Sequence, residues 1–88
     1  MIRKKIKVKN KLGLHARPCS MLVKELSVFQ SKVKIIKDDM EVNGKSIMGV
    51  MMLAAEQGAV LEFVVDGPDE EMAFTKISEL FKNKFGEE

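Results

Sequence analysis

The spacing of apolar residues changes period across residues 10–18, and that change restricts the fold more than any other feature of the chain. Before it, Ile2, Ile6 and Val8 fall on one side of a two-residue alternation and Arg3, Lys5, Lys7 and Lys9 on the other, the pattern of a half-buried strand. After it, Cys19, Leu22, Val23, Leu26 and Phe29 recur at helical spacing, with Pro18 tolerated in the first turn. Residues 10–13 read as the loop between them.

The alternation of periods continues to the end. Val33-Lys34-Ile35-Ile36 reads as a second strand, and Asp38-Asp39 as a hairpin turn into Met40-Glu41-Val42, which Asn43-Gly44 closes. Ser46 is placed to cap a short helix running to Ala55, with Gly58 as a stop. Residues 60–65 are the most apolar strand and the expected centre of the sheet. Pro68, Asp69, Glu70 and Glu71 open a last helix whose buried face is Ala73, Phe74, Ile77, Leu80 and Phe81; Lys82 and Lys84 suit its negative end and Gly86 its stop. The order βαββαβα predicts an α+β fold with a four-stranded, mainly antiparallel sheet and helices on one face. Eighty-eight residues suffice for one core, so residues 1–88 form a single domain.

The only histidine, His15, stands in Gly13-Leu14-His15-Ala16-Arg17-Pro18, where the strand pattern yields to the helix. A helix start has unpaired N–H groups and the positive end of the dipole, which together suit an anion such as phosphate. Arg17 adds a fork of donors matched to phosphate oxygens, and histidine itself forms covalent intermediates. The segment therefore reads as a phosphoryl-accepting histidine site, although placement alone also suits a surface histidine or a partial cap.

In the second helix, Val50, Leu53 and Ala54 share one side, while Ile47, Met48, Met51, Met52 and Ala55 spread over the other. A short helix apolar nearly all round is either fully buried or exposes a side to a partner, and methionine suits adaptable contact surfaces. Each methionine alone would serve as core filler; the set reads as a docking patch. Ser46 needs no role beyond the cap, but phosphate at a helix start is electrostatically tolerated, so it is also a candidate modification site.

Composition excludes several classes. With 45% hydrophobic and 32% charged residues the chain is neither disordered nor membrane-spanning, and the lysines that interrupt its first apolar positions leave no signal peptide visible. One cysteine forms no internal disulfide, and there is no CxxC or HExxH, so neither a metal nor a cofactor is expected, and the cytoplasm is the expected compartment. A net charge of +2, no tryptophan or tyrosine, and phenylalanines mostly in helical core patterns weigh against a nucleic-acid module.

Gly13-Leu14-His15-Ala16-Arg17-Pro18 and Asn43-Gly44-Lys45-Ser46-Ile47-Met48-Gly49-Val50-Met51, at this separation, closely resemble the histidine-containing phosphocarrier (HPr) family of the bacterial phosphoenolpyruvate-dependent sugar phosphotransferase system. The resemblance covers essentially the whole chain. It implies an open-faced β-sandwich of four antiparallel strands with three helices on one face. It also implies a carrier, not an enzyme, in which His15 takes a phosphoryl group on Nδ1 from enzyme I and passes it to enzyme IIA domains. In that scheme Ala16 and Arg17 bind the phosphate, and Pro18 shapes the helix start. Ser46 matches the serine served by an ATP-dependent HPr kinase/phosphorylase, with a transcriptional regulator as a further partner. Ile47, Met48 and Met51 match the docking patch, and Lys24 and Lys45 are its expected contacts to acidic partners. A monomer is expected, without nucleic acid or membrane insertion. The nitrogen-related phosphotransfer paralog is the nearest alternative, and Ser46 in this motif favours the carbohydrate branch. The corepressor relative that lacks the histidine is excluded by His15. Cys19 stands where the family usually has a small residue such as alanine; a buried filler is the expected role, a reactive thiol the alternative.

Overall fold

A computed structural model describes residues 1–87. The elements are β1 (Ile2–Lys7), α1 (Ala16–Leu26), β2 (Lys32–Lys37), β3 (Met40–Asn43), α2 (Ile47–Met52), β4 (Val60–Asp66) and α3 (Glu70–Lys82), followed by a 3-10 turn at Lys84–Gly86. This is the expected βαββαβα order. The strands form one antiparallel sheet in the order β1-β4-β2-β3. The apolar strand β4 is central, with Leu61 opposite Ile6 on one side and Phe63 opposite Ile35 on the other.

Alternation along the strands decides which face is covered. Val33, Ile35, Leu61, Phe63 and Val65 are buried beneath the helices, while Lys32, Lys34, Val60 and Asp66 lie on the bare side. The helices supply the other half of the core: Cys19, Leu22, Val23 and Leu26 from α1, Val50 from α2, and Ala73, Ile77 and Phe81 from α3. Phe74 and Leu80 are only half-buried at its margin.

The second helix is shorter than its sequence pattern. It ends at Met52, with Leu53 as its last cap, because Ala54 turns into the left-handed region at φ 49°. The helical projection consequently fails past Leu53: Ala54 is exposed and Ala55 is 4% accessible, the reverse of the expected sides. Gly58, at φ +92°, belongs to the turn that returns the chain to β4. The last helix starts at Glu70 with Asp69 before its first turn, so Pro68 lies outside the helix and not at its first position. Both Asp69 carboxylate oxygens reach across to the β2 entry, accepting from the N–H of Gln30 and of Ser31 at 2.9 Å and from Ser31 Oγ at 2.5 Å.

Candidate functional site

His15 is the residue immediately before α1, in extended conformation at φ −80°, ψ −172°. No side chain caps this helix start. The N–H groups of Ala16 and Arg17 have no acceptor within the helix, and Pro18, buried in the first turn, has no N–H to satisfy. Two contacts fix the approach to His15. Leu14 N–H donates to Ala55 O at 2.9 Å, and Gly13 takes φ +67° so close to α2's exit that an added Cβ would lie 2.4 Å from Ala55 O. The histidine loop is thereby joined to the end of α2. Cys19 lies beneath, fully buried, its Sγ donating to Leu14 O at 3.3 Å. Burial pushes its thiol pKa up, and both the burial and that shift favour the filler role over a reactive thiol.

The imidazole is about one-third exposed and is not alone. Its Nε2 lies 2.8 Å from Glu87 Oε2, and Arg17 Nη1 donates to the same oxygen at 3.0 Å. Glu87 Oε1 accepts from Asn10 Nδ2 at 3.0 Å, while that buried amide also donates to Gly13 O at 2.7 Å. Arg17 Nη1 makes a further bond to Phe85 O at 3.2 Å. Burial acts to raise the Glu87 pKa, but donors from Asn10, His15 and Arg17 outweigh it and hold the carboxyl below its ordinary range. A histidine, an arginine and a buried amide thus converge on one anionic group at a helix start.

Asn10 and Glu87 are the participants that sequence reasoning did not find. Glu87 arrives because Phe85 is an anchor: its ring is 1% exposed and packs edge-on against Phe81 at 4.9 Å, which packs edge-on against Phe63 at 5.5 Å. Left-handed backbone at Lys84 and Phe85, both at φ 54°, then swings the chain back over α1's start.

The second candidate region is α2. Ser46 Oγ accepts from Gly49 N–H at 3.1 Å, the expected cap, and no acidic residue occupies the first turn. Met48 is 76% exposed, Met52 63%, Met51 43% and Ile47 41%, whereas Val50 and Leu53 are buried. The apolar arc is therefore on the surface. Lys24 is exposed on α1; Lys45 instead spends its ammonium on Phe29 O, at 2.5 Å. Among the described residues, no group of three or more His, Cys, Asp or Glu side chains converges to hold a metal ion, and no helix is long and apolar enough to cross a membrane.

One antiparallel sheet, helices on one face only, and a lone surface histidine at a helix start define the open-faced β-sandwich class. Known proteins narrow it further. The family model described as the PTS HPr component phosphorylation site matches residues 2–83. The chain is 50% identical over 88 residues to the phosphocarrier protein HPr of Treponema pallidum, covering all of both chains. It is also 50% identical over 88 residues to that of Xylella fastidiosa, covering 100% of this chain and 99% of the relative. The crystal structure of HPr-C-His from Thermoanaerobacter tengcongensis superposes with a TM-score of 0.95 at 45% identity, covering 100% of this chain and 99% of the other. This chain belongs to the HPr family of phosphocarrier proteins.

Proposed function

We propose that this chain accepts a phosphoryl group on His15 from phosphorylated enzyme I and passes it to sugar-specific enzyme IIA domains, in the cytoplasm and without a cofactor. The observation that carries this reading is the carboxylate oxygen shared by His15 Nε2 and Arg17 Nη1, which marks a built anion site on an accessible imidazole. In the transfer, His15 Nδ1 forms a bond to phosphorus as the donor's P–N bond breaks and its electron pair returns to the donor nitrogen. The free N–H groups of Ala16 and Arg17 and the Arg17 guanidinium then face the phosphate oxygens, which supports modest stabilisation of a group that has to leave again.

Ile47, Met48 and Met51 form the docking surface in this reading, with Lys24 as an exposed cation on α1, because apolar side chains this exposed gain most from burial against a partner. Ser46 is the regulatory site for an ATP-dependent HPr kinase/phosphorylase. A phosphate there adds nearly two charges to a first turn that has no acidic residue, so the helix dipole tolerates it while an acidic partner does not.

Incubation with phosphoenolpyruvate and enzyme I, followed by intact-mass measurement, tests the central claim. One acid-labile phosphate is expected, absent in His15→Ala; persistent labelling of that variant would show the wrong residue has been assigned. Arg17→Ala is expected to accept phosphate more slowly, because the backbone donors remain and the cation is lost. A wild-type rate in that variant removes the arginine's role.

A further inference from the structure

Strand alternation gathers cations onto the face of the sheet that no helix covers. Ile2 and Ile6 pack against the core, so Arg3, Lys5 and Lys7 line the outer edge of the bare face, roughly 7 Å apart along β1. Val8 is buried and carries the pairing on through Ala59 O and Gly58 N, which turns Lys9 to the same side. Lys32 and Lys34 stand on the bare face of β2, beyond the central strand. Lysines on an edge strand discourage unwanted pairing, but β2 is an interior strand with no edge of that kind to protect. The carboxylates of this face do not balance it. Glu62, although opposite Lys5 in register, meets Arg3 at 3.4 Å, Glu41 meets Lys34 at 3.6 Å, and Asp66 lies opposite Lys32. Among the described residues Lys5, Lys7 and Lys9 form no ion pair, and all three are exposed. Between the two columns of cations lies Val60, opposite Lys7 and 50% exposed.

We infer that the bare face of the sheet rests against anionic lipid headgroups, with the β1 lysines as its contacts and Val60 between the cation columns. The inference stands on the sheet and does not depend on phosphotransfer. Its occupant follows from the kind of charge on offer. A specific protein partner is gripped through aromatic and arginine anchors in a desolvated centre. Among the described residues this face has no aromatic side chain, and its one guanidinium is taken by Glu62. What remains is a row of ammonium groups on flexible stems, point charges that are drawn to an extended negative plane and select no particular oxygen. The exposed valine adds apolar area at headgroup depth, which is contact with a bilayer and not passage through it. The helices pack on the opposite face, so a chain lying this way keeps α2 and the start of α1 toward water. Lipid contact and access to His15 are therefore compatible.

Flotation of the purified chain with lipid vesicles tests this. It is expected to rise with vesicles of equal parts phosphatidylglycerol and phosphatidylcholine, to stay behind with pure phosphatidylcholine, and to be released by added salt. Lys5→Gln/Lys7→Gln is expected to weaken partitioning about 30-fold, a factor of about five for each lysine. Lys24→Gln/Lys82→Gln removes the same charge from the helical side, where both lysines are exposed, and is expected to partition like wild type. A lipid-anchored gadolinium chelate is expected to broaden the amide signals of β1 before those of α1 and α2. Equal losses in the two double variants, or broadening that begins at the helices, would overturn the inference, because net charge and not this face would then be at work. So would a failure to float with the anionic vesicles at low salt. Tighter binding to soluble polyglutamate than to vesicles of equal total charge would overturn it too, and would assign the face to an acidic protein.

Discussion

Placing an aspartate on each side of α2 separates the docking surface from the core. Leu53 is 3% exposed, so Leu53→Asp loses the buried leucine, about 2–5 kcal/mol, and adds several more for a carboxylate without a partner. An 88-residue domain has roughly 4–13 kcal/mol of stability in all, so this variant is expected to be largely unfolded in buffer. Met48 has only about a quarter of its surface covered. With about 1.5–3 kcal/mol for a fully buried methionine, Met48→Asp forfeits roughly 0.4–0.7 kcal/mol, part of which the helix dipole returns, because position 48 lies in the first turn. The exposed three-quarters are what a partner would cover, about 1–2 kcal/mol, so affinity for enzyme I should fall about 5- to 30-fold before any cost of desolvating the new charge. Urea melts and calorimetric titration with enzyme I measure the two quantities on the same samples. If Met48→Asp unfolds as readily as Leu53→Asp, the arc is core. If it folds and binds like wild type, the arc is not the docking surface.

Ser46→Asp should fold normally and slow phosphorylation of His15 by raising KM for this protein, more strongly at low salt, as steady-state kinetics at two ionic strengths would reveal. Ser46→Ala should lose at most about 1 kcal/mol of stability and remain a good carrier. Ser31 Oγ, ahead of the Gln30 and Ser31 N–H groups, holds the Asp69 carboxyl below the usual aspartate range. A pKa lower in the folded than in the unfolded chain stabilises the fold above the unfolded value and loses that effect as pH falls through the folded one. Denaturation midpoints of wild type and Asp69→Asn should accordingly differ at neutral pH and draw together below the ordinary aspartate pKa; a constant gap would contradict the assignment. Gly13→Ala should destabilise the domain, because it opposes a left-handed φ and drives a methyl into Ala55 O; a melting temperature equal to wild type would show that the loop is free to move.

The parts legible in advance are those whose signals are local. The switch of period placed the start of α1 in the His15 run with Pro18 in its first turn, and Ser46 announced its own cap because cap chemistry is completed within three residues. The exposed methionines followed from projecting a short helix, and the projection failed only at Ala54 and Ala55, where a left-handed residue ended the helix. The histidine's surroundings were not legible for the opposite reason. Glu87 is 72 residues away in sequence and is delivered by Phe85, an aromatic outside the α3 repeat in backbone that helical spacing does not describe. The available hint was Asn83-Lys84-Phe85-Gly86: a large apolar residue between two helix-ending ones has to be buried somewhere. Asn10 offered less, since an asparagine between two lysines in a loop gives no sign of being 1% exposed.

Strand β1 pairs only with β4, Ile2 meeting Val65 and Lys7 meeting Val60. The loop that follows β1 is tied to the same distant region: Val8 exchanges hydrogen bonds of 2.8 Å with Ala59 O and Gly58 N, and Leu14 bonds Ala55. Such contacts close a long loop and form late relative to local ones, because the entropy of closure has to be met before they contribute. Local bonds from Asn10 to Gly13 and from Cys19 to Leu14 shape the histidine loop, but its placement against the rest of the fold rests on these distant ties. On the phosphocarrier reading, competence to accept phosphate would then depend on completion of the fold, since a chain still lacking the β1–β4 pairing would present His15 without its long-range tie to Ala55.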